Sequence, residues 1–107
     1  MTLKLNSEVT GQKLEKCGFQ QLSRQKYQVR KNLYKDLIYC VGVANIAEGE
    51  LELEVYSRNT NDVYYPFYYN PMRDRNLVGL EVKEQVDKFI HKLQVAKIVK
   101  RRRKHDD

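Results

Sequence analysis

The side chains with reactive chemistry in this chain are few and scattered. Cys17 and Cys40 have no C-x-x-C partner, the spacing a redox pair or a zinc half-site would need. Each lies among apolar neighbours, so both read as small core hydrophobes, and a nucleophile at either position lacks a basic partner. His91 has Asp87 one helical turn before it and Val95 one turn after. A zinc site on a helix needs a second histidine four residues on, and His105 is far away near the chain end. His91 is therefore expected as a surface helix histidine paired with Asp87. Glu81-Val82-Lys83 matches the E-x-K of metal-dependent nucleases, but that motif belongs on a strand beside an acid, and here it opens a helix. No Ser-His-Asp set or glycine-rich phosphate loop occurs. The expectation is a protein that is not an enzyme and holds no metal or cofactor.

Recognition is better supplied. Val63 to Pro71 holds five of the eleven aromatics, Tyr64, Tyr65, Phe67, Tyr68 and Tyr69, and both prolines. Read as extended chain, Tyr65, Phe67 and Tyr69 point one way and Tyr64, Pro66 and Tyr68 the other. Pro66 lacks an amide proton, so the segment is an edge strand or no regular strand, and Asn70-Pro71 ends it in a turn. The rings either close the core between sheet and last helix or form an exposed platform; the cis or trans state of Tyr65-Pro66 is open. With Arg73 and Arg75 beside them, these residues are the candidate interaction site, since tyrosine and arginine favour interface centres. The run Lys100-Arg101-Arg102-Arg103-Lys104 is the second candidate. Five cations attract phosphates through charge alone, or simply favour a helix C-terminus as a solvated tail. Aromatics beside arginines also suit single-strand binding, but Glu50, Glu52 and Glu54 on one strand face repel a phosphate backbone.

A chain of 107 residues has the size of one domain and needs no disulfide or metal to bury a core. The net charge of +6 divides evenly: residues 100–107 carry +3 and the other 99 carry +3. The strong field is thus local to the tail. No apolar run approaches the ~20 residues of a membrane span, and the start has no signal-peptide core. Unpaired cysteines agree with a reducing compartment, so a cytoplasmic protein without membrane contact is expected.

The elements that must position these residues follow from periodicity. Asn6 or Ser7 is expected to cap a first helix that closes at Cys17-Gly18-Phe19, with glycine in the left-handed position. Four strands follow: a short one at Phe19 to Ser23; one in which Tyr27, Val29 and Leu33 alternate with polar residues; an almost continuously apolar one at Leu37 to Ala44; and Glu50 to Tyr56, with Leu51, Leu53 and Val55 inward. Short links predict an antiparallel meander, with Ala47-Glu48-Gly49 as a hairpin turn. Val78, Val82, Val86, Phe89, Ile90, Leu93 and Ile98 give a final helix from about Gly79 to Val99 one broad apolar face, and make it the lid of the sheet.

Three stretches together carry a family likeness: Leu14-Glu15-Lys16-Cys17-Gly18-Phe19, Tyr64 to Asn70, and Arg75-Asn76-Leu77-Val78 leading to Glu81-Val82 and an ending at Leu93 to Val99. The layout resembles small proteins encoded in phages and prophages of Gram-positive bacteria. The resemblance excludes the Lys100 to Lys104 run and implies an origin and an α+β fold, but no activity or site. The expected architecture is α-β-β-β-β-α, an antiparallel meander with two helices packed on one face: one domain over residues 1–99 and a basic, disordered tail over 100–107. The expected function is protein interaction, with an unknown partner or a second copy as a homodimer. The alternative is nucleic-acid binding through Lys100, Arg101, Arg102, Arg103 and Lys104 and the Arg73/Arg75 loop.

Overall fold

The computed structural model describes residues 1–69 and 76–100. The chain runs β1 (Thr2–Lys4), α1 (Gly11–Lys16), β2 (Gln20–Gln21), β3 (Lys26–Tyr34), β4 (Ile38–Asn45), β5 (Glu50–Ser57), β6 (Asp62–Val63), α2 (Tyr65–Tyr68) and α3 (Leu77–Val95). All strand pairs are antiparallel, in the order β1-β5-β4-β3-β2, with β6 on β5 beside β1. The expected α+β meander is present as β2 to β5, and two short strands extend it at the outer edge of β5.

Alternation decides which face is covered. Tyr27, Val29 and Leu33 of β3, Ile38, Cys40 and Ala44 of β4, and Leu51, Leu53 and Val55 of β5 are buried. They share one core with Leu14 of α1 and Val82, Val86, Phe89 and Leu93 of α3. Both helices therefore pack on the same side, and the other side of the three long strands is left half-buried or exposed. In β4 the sizes are inverted: small Cys40, Gly42 and Ala44 face the core, while Tyr39, Val41 and Val43 face the open side. Crowding explains the small residues. A β-carbon on Gly42 would lie 3.1 Å from Val29 Cγ1 and 3.2 Å from Leu53 Cδ1.

Several boundaries depart from the periodic reading. Thr2–Lys4 form a strand before the first helix, with Leu3 and, just beyond it, Leu5 buried on alternate positions. The cap of α1 is Thr10, whose hydroxyl accepts from Lys13 N at 3.2 Å; Asn6 instead donates its amide to Ile98 O at 2.9 Å. Gly11 opens the helix because the Tyr27 ring lies against it, where a β-carbon would be 2.7 Å from Cζ. The last helix starts earlier, capped by Asn76 Oδ1 accepting from Val78 N (2.9 Å) and Gly79 N (3.3 Å). It also ends earlier, at Val95. Lys97 turns left-handed at φ 61°, Ile98 N–H returns to Leu93 O, and Val99 then bridges Leu5. That bridge ties the far end of α3 to β1.

The two faces of the sheet should differ sharply in sensitivity. Leu53→Ala opens a cavity in the core and should cost about 2–5 kcal/mol in urea denaturation. Val43→Thr on the open face should stay within about 0.5 kcal/mol of the parent. Comparable losses from both would mean that the second face is covered too.

Candidate interaction surfaces

The aromatic segment is helical, not extended, so its rings sort by a period near 3.6. Tyr64 and Phe67 pack against the core, whereas Tyr65 and Tyr69, four residues apart, are about 60% exposed. The expectation that Tyr65, Phe67 and Tyr69 share a side is thus corrected. Pro66 sits in the first turn, where its missing amide proton costs nothing. No described peptide bond is cis.

Tyr68 has a structural task. The outer edge of β5 is covered by β1 over Glu50 to Glu52 and by β6 over Tyr56 and Ser57. Between them the Val55 amide donates to the Tyr68 hydroxyl at 2.8 Å, and Tyr64 N–H donates to Val55 O at 2.9 Å. The Tyr68 hydroxyl in turn donates to Glu54. A side-chain oxygen thus stands in for a strand in the gap. Burial, and next the hydrogen bond to Glu54, push the Tyr68 hydroxyl well above its ordinary range.

The open side of β3, β4 and β5 is the larger surface, and register places its residues in rows. Arg30, Val41 and Glu54 are one row; Gln28, Val43 and Glu52 the next; Asn32, Tyr39 and Tyr56 a third; Lys26, Asn45 and Glu50 a fourth. Tyr39 and Tyr56 stack with centroids 5.7 Å apart. The guanidinium carbons of Arg30 and Arg58 lie 4.8 and 5.0 Å from the Tyr39 ring centre. Arg58 is held by its Nε donating to Asp36 O at 2.7 Å. A depression of about 240 Å³, lined by Gly18, Gln20, Gln28 and Arg30, continues this face toward β2. Another, of about 320 Å³, lies between β6 and α2 and includes Tyr64, Tyr65 and Pro66.

The expected residues thus do not form one site. Tyr64, Phe67 and Tyr68 complete the fold, and Tyr65 and Tyr69 are exposed. Arg73, Arg75, Arg101, Arg102, Arg103 and Lys104 lie outside the described residues. Lys100 is exposed, and its amide donates to Lys4 O at 2.9 Å. Tyr39, Tyr56 and Arg30 were not singled out from the sequence, and Arg58 counted there only as a basic flank of the aromatic run. Part of a signal was there: from Tyr39 to Ala44 the larger Tyr39, Val41 and Val43 alternate with Cys40, Gly42 and Ala44, which separates two faces without saying which is sealed.

The chemistry-bearing residues are spread as widely. Asp87 accepts from Lys83 Nζ at 2.7 Å, one turn earlier on α3, and not from His91 as expected. Glu81 and Lys83 lie on α3. Among the described residues no three His, Cys, Asp or Glu side chains are grouped to hold a metal ion, and no helix is long and apolar enough to cross a membrane. Cys40 is fully buried, and burial pushes its thiol up to about 11. Cys17 is only half-buried.

Two measurements check these assignments. Tyr68→Phe should cost about 0.5–1.5 kcal/mol, because the Val55 amide loses its acceptor. A hydroxyl whose pKa is higher in the fold than in the unfolded chain contributes stability that is present below the ordinary value of 10 and lost as pH rises through the raised one. The gap between parent and Tyr68→Phe should therefore be constant up to about pH 10 and narrow above it. Iodoacetamide at pH 8 should alkylate Cys17 in the folded protein and spare Cys40 until denaturant is added, as mass spectrometry will report.

No family model matches the chain, and no curated protein matches it. Among solved structures it is similar to a DUF1831 family protein from Lactobacillus plantarum, with a TM-score of 0.68 and 13% identity over 89% of this chain and 82% of that one. At that identity the likeness shows the fold: an antiparallel sheet of α+β type with its helices on one side.

Proposed function

We propose that the protein is a non-enzymatic protein-interaction module that docks its partner on the open face of β3, β4 and β5. One observation carries this reading. The central strand presents Tyr39, Val41 and Val43 to the uncovered side and keeps its small residues for the core. Arg30 and Arg58 hold the Tyr39 ring in place, and pre-ordered tyrosine with arginine is what interface centres favour. The phage and prophage resemblance adds an accessory role as the setting.

A second reading, single-stranded nucleic acid, draws on the same stack, because bases pile on aromatic rings beside guanidinium groups. Glu50, Glu52 and Glu54 on that face oppose it, although the Met1 ammonium lies 3.9 Å from Glu52 and 3.6 Å from Glu54 and offsets part of their charge. Tyr65 and Tyr69 remain exposed for a secondary contact at the α2 corner.

A photo-crosslinking residue placed at Val43 should yield protein adducts, whereas the same residue at Glu84 on the outer side of α3 should yield none. Oligonucleotide titrations at two salt concentrations form the control. Absence of protein adducts from Val43, or low-salt oligonucleotide binding abolished by Tyr39→Ala, would overturn the proposal.

A further inference from the structure

The two edges of the sheet are finished differently. Along β5 the edge is covered by β1, Tyr68 and β6, whereas β2 reaches only Tyr27 and Gln28 of β3. Parity shows which groups of β3 are left. Lys26 O accepts from Leu22 N at 2.8 Å, on the β2 side, so Gln28, Arg30 and Asn32 also turn their main chain outward. Gln28 meets Gln20 of β2. Among the described residues nothing takes the N–H and C=O groups of Arg30 and Asn32. Beyond Asn32 a shift in register ends the regular edge. A depression of about 240 Å³, lined by Gly18, Gln20, Gln28 and Arg30, lies where β2 stops.

This edge is basic as well as open. From Phe19 to Lys35 the chain holds Arg24, Lys26, Arg30, Lys31 and Lys35 and no acid, so the rest of residues 1–99 is net acidic. Among the described residues none of these five forms an ion pair. We propose that β3 takes an acidic, extended peptide segment of another protein as an added strand along Val29 to Leu33. The site stands on its own observations, beside the open face and independent of it.

The occupant follows from what the edge offers. A strand supplies both donors and acceptors for Arg30 and Asn32, which is how a sheet edge captures a peptide. Nucleic acid would satisfy the cations, but a phosphate has no proton to give the two carbonyls. A second copy paired through the same edge would bring Arg30 and Lys31 against its own cations and is rejected. The acidic strand β5 of another copy has no free edge to offer. The cations thus keep the edge from pairing with itself and leave it open to an acidic strand.

Register sets the order of side chains in the guest. All pairs in this sheet are antiparallel, and a guest in that sense points its C-terminal end at Gln20 and the depression. Its residue opposite Arg30 lies on the open side beside that guanidinium. The residue opposite Asn32 lies on the same side, near Arg58, whose Nη2 is 3.5 Å from Asn32 Oδ1. Both places select a carboxylate. The residue between them falls on the helix side by Lys31, whose ammonium is 5.5 Å from the Phe89 ring centre. Acids two apart with an apolar residue between are the expected pattern. Four main-chain hydrogen bonds and two exposed charge pairs give a Kd on the order of 0.1 mM.

Fluorescence anisotropy tests this with a labelled ten-residue peptide, glutamate at every second position and valine or threonine between, titrated with the full chain. Binding is expected at low salt and should weaken as salt is added. The same peptide N-methylated on its glutamates, whose amides face β3 in the antiparallel register, should not bind. N-methylated on the intervening residues, it should bind as before. Asn32→Pro removes an outward amide without changing any charge and should weaken binding about tenfold. Arg30→Glu should abolish it. Circular dichroism establishes that each variant is folded, and the methylated peptides test the pairing on the parent chain itself.

No binding of the parent peptide, or binding that survives methylation of the glutamates, would overturn the proposal. So would binding unchanged in folded Asn32→Pro or Arg30→Glu. A labelled oligothymidylate that displaces the peptide, or self-association lost in Asn32→Pro, would name a different occupant and overturn it too. Crosslinking from Val43 reads the open face and the methylated peptides read this edge, so the failure of either proposal leaves the other standing.

Discussion

The fold depends on one contact between two apolar surfaces: the stripe Val82, Val86, Phe89 and Leu93 of α3 joined in one core with the inward side chains of the sheet. Each fully buried side chain of this kind contributes about 1.5–3 kcal/mol, and no other element offers as long a run of them. Because α3 covers one face, every long strand becomes two-sided, with a sealed row and an open one. The buried row leaves little freedom. Gly42 gives way to Val29 and Leu53, Gly11 gives way to Tyr27, and Lys31 reaches the margin of the core with its ammonium 5.5 Å from the Phe89 ring centre.

The second constraint is the edge of β5. An exposed strand edge is a row of unpaired amides and carbonyls, and here three separate pieces of chain cover it. β1 takes one end, β6 the other, and the hydroxyl of Tyr68 takes the amide between them. The aromatic segment therefore serves the backbone first. The chain then closes on itself where Val99 bridges Leu5, so both ends of the described fold meet at β1.

These two constraints leave the open face of β3, β4 and β5 as the broadest surface with an ordered apolar centre. The edge of β5 is covered by these pieces, whereas at the opposite edge of the sheet β2 pairs only Tyr27 and Gln28 of β3. The stacked pair Tyr39 and Tyr56 has two guanidinium groups beside it, and these restrict the Tyr39 ring.

Much of this was legible from local pattern. The alternation of Glu50 to Tyr56, the apolar spacing from Val82 to Leu93 and the turn at Gly49 each report on neighbours a few residues away, and strands and helices follow from such periods. Thr2–Lys4 alternates as well, but three residues are too few to declare a strand without knowing that β5 has a free edge to receive them. The aromatic run was misread for a related reason: Pro66 fits an edge strand and a first helical turn equally, and only the vacancy at the Val55 amide selects the helix. Likewise β4 is apolar on both sides, so its own residues do not say which side is sealed. Composition and period determined the elements and the one-lid architecture; long-range register decided that Tyr39, Val41 and Val43 stay open, because strand pairing and the position of α3 are set by contacts far apart in the chain.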